Sequence, residues 1–392
     1  MQLTVVWHKL FWPSSQSPTG FASHGGLGRQ IEALSQIFDA TRIVGACSAS
    51  RDVPGGRSLA GRSVTIIALS GLPKSPLLTW LIMPIWLARN GVALVREIAR
   101  ADAVFPALPS PVALLGLLLA VAMKKRILVR PMNNWSESRL LWRLERAFLE
   151  WIAGGRNVVL ATGDGATPPS RRNPAIGWMF STTVTERELA DCAIPPTVDP
   201  QRARLVIVGR QLEVEGTRAV IHALPHIARA FPDVALDVVG HGPALSTLRR
   251  LARERQVDGR VTFHGAMTHE GVLALLRRND LFCLPVVENE SSRQAVIEAL
   301  ACGLPVVSTR LACLDGQRCA VVLKDTSPEA LAESVASCLG DPERYRMMSM
   351  EARRVAHAFT LERWRDIIRE RLEQAWGPLQ SAAVRVPADV RA

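Results

Sequence analysis

Short apolar runs of strand length alternate with longer amphipathic segments along most of this 392-residue chain. The first half contains LTVVW, TRIVGAC, SVTIIAL, ADAVFPA, RILVRP and NVVLAT, with helical patterns between most of them. Runs that are apolar throughout, rather than at every second position, predict strands buried on both faces. Such strands in alternation with helices predict an α/β protein built on parallel sheets.

The Pro-rich segment CAIPPTVDP, residues 192–200, divides this pattern into two halves of similar size. After it the alternation restarts with RLVIVGR and continues through VALDVVGHGP, VTFHG and DLFCLP. A chain of this length exceeds what one core usually supports, so two domains are expected. We predict an N-terminal domain over 1–192, a linker over 193–203, a C-terminal domain over 204–360, a last helix over 361–376 that crosses back to the first domain, and a flexible tail over 377–392.

One carboxylate lies inside an otherwise apolar segment of the second half. Glu298 is within Ala295–Cys302, where every other side chain is apolar, and Glu290 precedes it with seven residues between them. A helix that is apolar on all sides is buried, and a buried carboxylate is costly unless hydrogen-bond donors surround it. Two adjacent ribose hydroxyls would satisfy Glu298. A neighbouring arginine would also do so, and Glu290 would then be a solvated loop residue.

The start of this helix is a candidate anion site. Ser291 and Gln294 form a capping-box pattern that predicts a helix beginning at about Ser292, and Gly303 with Pro305 predicts its end. Free backbone N–H groups around Ser292–Gln294 and the positive end of the helix dipole favour a phosphate there. A nucleoside diphosphate would then have its phosphate at the helix start and its ribose at Glu298.

Positive charge and tryptophan are concentrated in the first half. Residues 1–200 contain 21 Lys and Arg against 13 Asp and Glu, residues 201–392 contain 26 against 23, and eight of the ten Trp precede residue 200. A basic, Trp-rich surface favours an anionic membrane as a neighbour, whereas no zinc-finger, RNP or zipper pattern supports nucleic acid. The segments SRLLWRLERAFLEW and 75–89 either rest on a membrane or pack as ordinary helices on the sheet.

Cysteine usage and the N-terminus bear on the compartment. The seven Cys are scattered without a CxxC pair, which favours small buried thiols in a reducing cytosol over a disulfide framework or a zinc site. MQLTVVWHKLFW lacks the pattern of a signal peptide, and the longest apolar runs, 111–123 and 75–88, are too short to span a bilayer. We expect a cytoplasmic protein, free or bound peripherally to the inner face of the cytoplasmic membrane.

Several motifs of the second half occur in the order that is typical of one enzyme family. Glu290 and Glu298, followed by ALACGLPVV and preceded by DLFCLP, resemble the E-x7-E signature of the retaining GT-B glycosyltransferases of family 4, group 1. IVGRQLEVEG and VVGHGP resemble two further motifs of that family, and the similarity extends over about 204–376. The first 200 residues resemble the family only in architecture. The resemblance implies the GT-B fold, an α/β architecture of two Rossmann-like domains with parallel sheets facing across a cleft.

The reaction that the resemblance implies is transfer of a hexose-type sugar from a nucleotide-sugar donor to a hydroxyl of a lipid-linked or saccharide acceptor, with retention. Polysaccharide, lipopolysaccharide or glycolipid biosynthesis would use such a reaction. In such enzymes cations and amides assist departure of the diphosphate, so neither a metal nor a cofactor is expected. Two alternatives remain, namely a GT-B nucleotide-sugar epimerase and a non-catalytic glycosyltransferase-like subunit.

The resemblance also implies a role for each matching residue. Arg210 would bind the donor pyrophosphate, Glu290 would bind sugar hydroxyls near the anomeric carbon, and Glu298 would hold the ribose. The amides at the helix start would cradle phosphate, and the glycine turns would lie beside the nucleotide, although each glycine is equally explained as an ordinary turn. These further donor-side positions are Ser291, Ser292, Gln294, Gly240, Gly242 and Gly265.

Two positions depart from the family pattern. The family's phosphate-binding Lys would fall at Glu215, whose negative charge would repel a diphosphate. Arg293 stands where the family usually has Gly and is expected to supply the missing cation from the helix start. Otherwise Glu215 points away and the donor site is weaker, or the protein is a degenerate relative.

The first half carries a glycine-rich turn in SHGGLGRQIEALSQIF. Gly26 is expected to face the donor phosphates and Gly25 with His24 the acceptor, as in a loop after the first strand, although a helix-capping turn explains the glycines equally. FPALPSP, residues 105–111, lacks the His that the family often has after the fourth strand, so RPMNNW, residues 130–135, is the region to search for an acceptor-side base. His241, His264 and His269 are expected to be loop residues without a metal.

Overall fold

The structure is a computed structural model that describes residues 1–7, 9–23, 25–48, 57–73, 76–131, 135, 140–163, 165, 167–192, 202–211, 215–285, 290–309 and 314–379. For residues 76, 77, 80, 215 and 290–292 it describes the backbone alone. The chain forms two compact units, one of Met1–Met179 together with the residues from Trp364 onward, the other of Phe180–Arg363.

The first unit is a parallel sheet with helices between its strands. Its strands are β1 (Gln2–Val6), β2 (Phe11–Pro13), β3 (Phe21–Ser23), β4 (Ala40–Ala46), β5 (Arg57–Ser58), β6 (Val64–Leu69), β7 (Ala103–Pro106), β8 (Arg126–Val129), β9 (Asn157–Thr162) and β10 (Gly177–Met179). Its helices are α1 (Leu27–Ser35), α2 (Pro76–Arg100), α3 (Pro111–Ala122) and α4 (Leu140–Ile152). Seven strands pair in parallel in the order β10-β9-β8-β7-β1-β4-β6, which confirms the predicted parallel α/β architecture.

Two features of this unit differ from the sequence prediction. The Pro- and Ser-rich segment after β1 contains β2 and β3, which pair antiparallel and form a small sheet with β5. Phe11 and Phe21 stack edge to face at 5.3 Å across it, so aromatic burial outweighs the turn-forming composition. The sequence predicts a helix broken or kinked at Pro84, and the structure has α2 continuing through Pro84 as one element.

The second unit is also a parallel α/β layer structure. Its strands are β11 (Arg204–Val208), β12 (Ala235–Val239), β13 (Val261–Gly265), β14 (Leu281–Leu284), β15 (Val306–Ser308) and β16 (Ala320–Val322). Its helices are α5 (Glu186–Asp191), α6 (Glu215–Ala230), α7 (Leu245–Glu254), α8 (His269–Leu276), α9 (Glu290–Ala301), α10 (Pro328–Leu339) and α11 (Pro342–Ala356). The sheet order is β13-β12-β11-β14-β15-β16, and every pairing is parallel.

The strand order of the second unit reverses between β11 and β14. The chain goes outward from β11 through β12 to β13 and then returns to β14 on the other side of β11. In open parallel sheets, ligands bind outside the carboxyl ends of the strands at such a reversal. The loop after β11 and the start of α9, which follows β14, are therefore where a ligand is expected.

Helix α9 starts earlier than the sequence predicts. It begins at Glu290, not at about Ser292, and the Gln294 side chain donates to Ser181 Oγ at 2.5 Å, so Gln294 does not complete the expected capping box. The free amides of the first turn are consequently those of 290–292. Its end agrees with the prediction, because Gly303 has a φ of +76° and its N–H bonds to Leu300 O.

The boundaries of the units differ from the predicted domains. Residues 180–192, assigned from sequence to the first domain, belong to the second unit, where Val184, Leu189 and Cys192 are fully buried in its core. Most of the predicted linker, residues 193–201, and the tail from 380 lie outside the described residues. The last helix, α12 (Leu361–Trp376), begins in the second unit, and from Trp364 onward it packs within the first, where Trp376 Nε1 donates to Arg156 O at 2.8 Å.

None of the helices in these described ranges is both long enough and apolar enough to cross a bilayer.

Candidate functional site

Three turns at the carboxyl ends of β11, β12 and β13 are joined by backbone hydrogen bonds. Gly209 N donates to Val239 O at 3.1 Å, Gln211 N to His241 O at 3.3 Å, and Gly240 N to Gly265 O at 2.7 Å. The structure thus brings four predicted donor-side positions to one edge of the sheet; they are Arg210, Gly240, Gly242 and Gly265. The Arg210 side chain is exposed at this edge.

Close backbone approach requires glycine at two of these positions. A Cβ added to Gly240 would lie 1.8 Å from Gly209 O, and one added to Gly242 would lie 2.0 Å from Gln211 O. Gly240 also has a φ of +123°, which other residues rarely adopt. The turns after β11 and β12 therefore fit together only without side chains at these points.

Gln211 fixes the same turns from the inside, and the sequence analysis missed it. Its buried side-chain amide donates to Gly209 O at 3.0 Å and to Val239 O at 3.1 Å. Its Oε1 accepts a hydrogen bond from Thr217 Oγ1 of α6 at 2.8 Å. Its place directly after the apolar run of β11, at the carboxyl end of a buried strand, was the signal in the sequence that could have revealed this role.

The anion site stays a prediction for the beginning of α9, where Arg293 contributes one cation. Arg293 is half-buried, and its Nε is buried without a hydrogen-bond partner among the described residues. The side chains of Glu290, Ser291, Ser292 and Glu215 lie outside the described part of the chain, so their expected roles stay predictions.

Glu298 is buried, as predicted, and its partners are not arginines. Its Oε1 accepts a hydrogen bond from Thr183 Oγ1 at 2.7 Å and lies 3.0 Å from His269 Nδ1. Its Oε2 has no hydrogen-bond partner within the described ranges, and the side chain is 11% exposed. The alternative in which a neighbouring arginine satisfies this carboxylate is wrong.

His269 is not a loop residue, contrary to the sequence expectation. It is the first residue of α8, its side chain is only 4% exposed, and its Nε2 lies 3.1 Å from Glu188 Oε1. Glu188 is oriented in turn by a capping box at α5, where its Oε2 accepts from the backbone and hydroxyl of Thr185 at 2.9 and 3.0 Å. The T-x-x-E spacing of Thr185 and Glu188 was visible in the sequence and could have located this helix start.

Both ring nitrogens of His269 face carboxyl oxygens, whereas a neutral imidazole has one N–H. If both carboxyls are ionised, both contacts are hydrogen bonds only when the ring is an imidazolium. Of the other histidines considered, His264 bonds to Asp237 at 2.7 Å from strand β13, and His241 is in an exposed loop as expected.

Two thiols lie beside this network. Cys192 and Cys302 are buried with their Sγ atoms 3.6 Å apart, and Arg277 Nε donates to Cys192 Sγ at 3.2 Å. The Cys302 thiol, followed by Arg277, lowers the pKa of Cys192 to about 6 despite its burial. Hydrogen bonding to Cys192 and burial raise the pKa of Cys302. Both thiols are buried, as predicted, but the lowered pKa of Cys192 distinguishes it from an inert thiol.

The glycines of the first unit lie after β3, so the small sheet of β2 and β3 separates them from the first strand. Gly25 has a φ of +91°, and a Cβ there would meet Lys9 Nζ at 2.7 Å. Gly26 is the N-cap residue of α1, and Arg29 N donates to its carbonyl at 3.1 Å. This geometry is the helix-capping turn, one of the two explanations that the sequence allows for these glycines. His24 lies outside the described residues.

The region searched for an acceptor-side base begins with a buried arginine. Arg130 follows β8, is 1% exposed, and donates through Nη1 to Gln30 Oε1 of α1 at 2.9 Å. Its guanidinium also lies 6.0 Å from the ring of Trp364. Residues 132–134 of this segment lie outside the described residues, so the base remains unassigned.

Helix α4 of the first unit presents an apolar stripe to solvent. Leu149 and Ile152 pack in the core, but Leu141, Leu144 and Trp151 are 78%, 61% and 75% exposed. Helix α2 has a similar stripe that includes Leu81, 76% exposed. An exposed stripe of this kind is typical of an interaction surface, so ordinary packing on the sheet accounts for only one face of these helices.

Glu145, on α4, gives a pH-dependent stability prediction. Burial raises the pKa of this carboxyl to about 7 from an ordinary value of 4.5. The folded state therefore favours the neutral acid, and its stability falls as the pH rises from about 4.5 through 7. We expect Glu145→Gln to raise the free energy of unfolding by about 1–3 kcal/mol at pH 8 and to change it little at pH 4.

Urea denaturation of both proteins at the two pH values measures this difference. The exposed Glu254 of α7, changed to Gln, serves as the control that should show no pH-dependent gain. An equal effect of Glu145→Gln at pH 4 and pH 8 would contradict the assignment.

Comparison with known proteins identifies the second unit. Residues 202–341 match the family of glycosyl transferases group 1. A GDP-mannose-dependent alpha-(1-6)-phosphatidylinositol monomannoside mannosyltransferase of Mycolicibacterium smegmatis is 32% identical over 174 residues, which are 42% of this chain and 44% of that protein. A D-inositol 3-phosphate glycosyltransferase of Segniliparus rotundus is 32% identical over 169 residues, 41% of this chain and 37% of that protein. The chain thus matches less than half the length of these curated relatives.

Solved structures extend the likeness to the whole chain. WaaG, a glycosyltransferase involved in lipopolysaccharide biosynthesis, superposes with a TM-score of 0.65 at 16% identity, over 96% of this chain and 100% of its own. HepE of Anabaena, in complex with UDP-glucose, gives a TM-score of 0.67 at 13% identity, over 95% and 100%. At such identities the likeness establishes the fold. The chain therefore has the GT-B fold, and its residues 202–341 are similar to the glycosyl transferases group 1.

Proposed function

We propose that this chain transfers a sugar from a nucleotide-sugar donor to an acceptor hydroxyl, with anomeric retention, in glycolipid, lipopolysaccharide or polysaccharide biosynthesis. The matched relatives are named as glycosyltransferases of phosphatidylinositol mannosides and of inositol phosphate, and solved neighbours bind UDP and UDP-glucose. These names support the class of donor and acceptor but leave the nucleotide, the sugar and the linkage open.

One observation carries the proposal: within the matched domain, Glu298 is a buried carboxylate whose Oε1 is held by two donors while its Oε2 has no partner among the described residues. A carboxylate in this state accepts hydrogen bonds from adjacent ribose hydroxyls at little cost, because it is already desolvated and oriented. The edge formed by the turns after β11, β12 and β13 is the place that parallel sheets use for nucleotides.

The charges at this edge suggest how the diphosphate leaves. Arg210, the Nε of Arg293, which has no partner in the described part of the chain, and the amides of the first turn of α9 are all suited to the negative charge that develops on the leaving phosphate. Glu290 would bond the sugar hydroxyls. We expect the reaction to need no divalent metal, so EDTA should leave the rate unchanged.

Thermal-shift titration with UDP-, GDP-, ADP- and dTDP-sugars, followed by a transfer assay with the donor that binds, tests the proposal. A glycosyltransferase should bind one donor selectively and transfer its sugar to a lipid or saccharide acceptor. A sugar product formed without any acceptor would instead indicate an epimerase. Binding without transfer or hydrolysis would indicate a non-catalytic subunit, which the Glu at position 215 favours.

We further propose that the apolar stripes of α2 and α4 rest on an anionic membrane, from which a lipid-linked acceptor would be taken. Apolar side chains at the surface are accompanied by arginines on the same helices, among them Arg89, Arg96, Arg143 and Arg146. Burial of leucine and tryptophan in the interface together with attraction to anionic lipid is the combination that peripheral helices use. In this proposal α2 and α4 contact the inner face of the cytoplasmic membrane.

Replacement of Leu141 and Leu144 by Glu should weaken binding to phosphatidylglycerol vesicles by about tenfold or more, because apolar burial is lost and two repulsive charges are added. Vesicle sedimentation measures the binding. The exposed Met347 and Met350 of α11 in the second unit, changed to Glu, give the matched control, which should bind as the unmodified protein does. If the Leu141/Leu144 variant binds the vesicles as tightly as the unmodified protein, α4 does not contact the membrane.

A further inference from the structure

Glu298 and three other residues form one continuous hydrogen-bonded chain within the second unit. It runs from Thr183 through Glu298 Oε1 and His269 to Glu188, over distances of 2.7, 3.0 and 3.1 Å. The members come from the segment before α5, from α5 itself, and from the first residue of α8 and the middle of α9. No motif of the sequence joins them.

This chain orients one oxygen of Glu298 and leaves the other available. Both donors, Thr183 Oγ1 and His269 Nδ1, act on Oε1. A carboxylate with one oxygen tied in two directions cannot rotate without losing charge-assisted hydrogen bonds. Oε2 is thereby held in a defined orientation, and the side chain keeps 11% of its surface exposed.

His269 is itself held in place from its other side. Its Nε2 faces Glu188 Oε1, and the second oxygen of Glu188 is fixed by the backbone and hydroxyl of Thr185. The imidazole ring thus joins a carboxylate anchored by a helix cap to the carboxylate in α9. A ring with a single partner would be free to tilt, whereas this one is restrained at both nitrogens.

We propose that His269 is a positioning residue for the nucleotide: by donating from Nδ1 it holds Glu298 in the orientation that reads the two ribose hydroxyls of the donor. This rests on the proposed function, in which Glu298 binds that ribose. Because His269 would act through Glu298, its effect appears in how well ribose is distinguished from deoxyribose.

Two substitutions separate the two nitrogens of the ring. In His269→Asn the side-chain amide replaces Nδ1 and keeps a donor for Glu298 while losing Glu188. In His269→Gln the longer amide replaces Nε2 and keeps a donor for Glu188 while losing Glu298. Each variant loses one hydrogen bond and the ability of the ring to carry a charge. If His269 only stabilised the fold, the two variants would therefore lose ribose preference to a similar extent.

The experiment measures binding of UDP, GDP and ADP and of their 2′-deoxy counterparts by isothermal titration calorimetry. We expect the unmodified protein to prefer the ribonucleotide by about tenfold or more, His269→Asn to keep most of that preference, and His269→Gln to lose it. Melting temperatures are recorded beside the affinities, and His226→Gln, which alters a partly exposed histidine facing Glu329 at 3.7 Å, is the control that should retain the preference.

Each other outcome has one meaning. A preference for ribose that is retained in His269→Gln, or lost equally in both variants, overturns the positioning role while the proposed function stands. If the unmodified protein shows no preference for the ribonucleotide, Glu298 is not the ribose ligand, and the role of His269 is overturned as well. If the unmodified protein binds none of these nucleotides or the corresponding nucleotide sugars, the proposed function itself fails.

Discussion

Glu298→Ala should abolish detectable binding of the donor nucleotide and lower the free energy of unfolding by about 3–5 kcal/mol. The loss of binding follows from removal of the carboxylate proposed to hold the ribose. The loss of stability follows from the surroundings, because Thr183 Oγ1 and His269 Nδ1 both lose the Glu298 oxygen that they contact. Urea denaturation and calorimetric titration of the same preparation measure the two effects.

Glu298→Gln distinguishes binding from folding. Its side-chain oxygen still accepts hydrogen bonds from Thr183 and His269, so we expect it to recover most of the stability. It lacks the charge that strengthens bonds to hydroxyls, so nucleotide binding should stay weakened by about tenfold or more. Unchanged nucleotide affinity in both variants would remove Glu298 from the donor site, whatever their stability.

Gly242→Ala should destabilise the second unit by about 2–4 kcal/mol and reduce nucleotide binding with it. The added Cβ would lie 2.0 Å from Gln211 O and 2.5 Å from Gln211 C, and these are backbone atoms that cannot rotate away. The turn after β12 must therefore move from the turn after β11, which carries Arg210. The midpoint of urea unfolding measures the first effect and nucleotide titration the second.

Gly259→Ala is the matched control for this change. Gly259 lies in a one-turn 3₁₀ helix of the second unit, Asp258–Arg260, where a Cβ would meet nothing within 4 Å and its φ is not in the left-handed region. We expect it to be as stable as the unmodified protein, or slightly more so, because alanine restricts the unfolded chain. If Gly242→Ala has the same unfolding midpoint as Gly259→Ala, the turns after β11 and β12 can move apart without loss of stability.

Much of the fold was readable because buried parallel strands have a strong local signature. Runs such as RLVIVGR and DLFCLP are apolar throughout, and the structure confirms them as β11 and β14 of a parallel sheet. The short strands β2 and β3 were missed, because their segment is rich in Pro, Ser and Gly, and contacts between residues distant in sequence, such as that of Phe11 with Phe21, stabilise it as a sheet. The boundary between the units was misplaced because Val184 and Leu189 are local in sequence to the first unit but bury their surface in the second.

For the site, the sequence by itself determined that a carboxylate had to lie in a buried helix, because Glu298 interrupts an apolar run and the E-x7-E spacing is local. Only the tertiary structure decided what surrounds it. Thr183, Glu188 and His269 are up to 115 residues away from Glu298 in the chain, and a hydrogen bond depends on distance in space and not in sequence. The need for glycine at 240 and 242 likewise arises where the backbones of two separate turns meet, which no pattern along one strand can reveal.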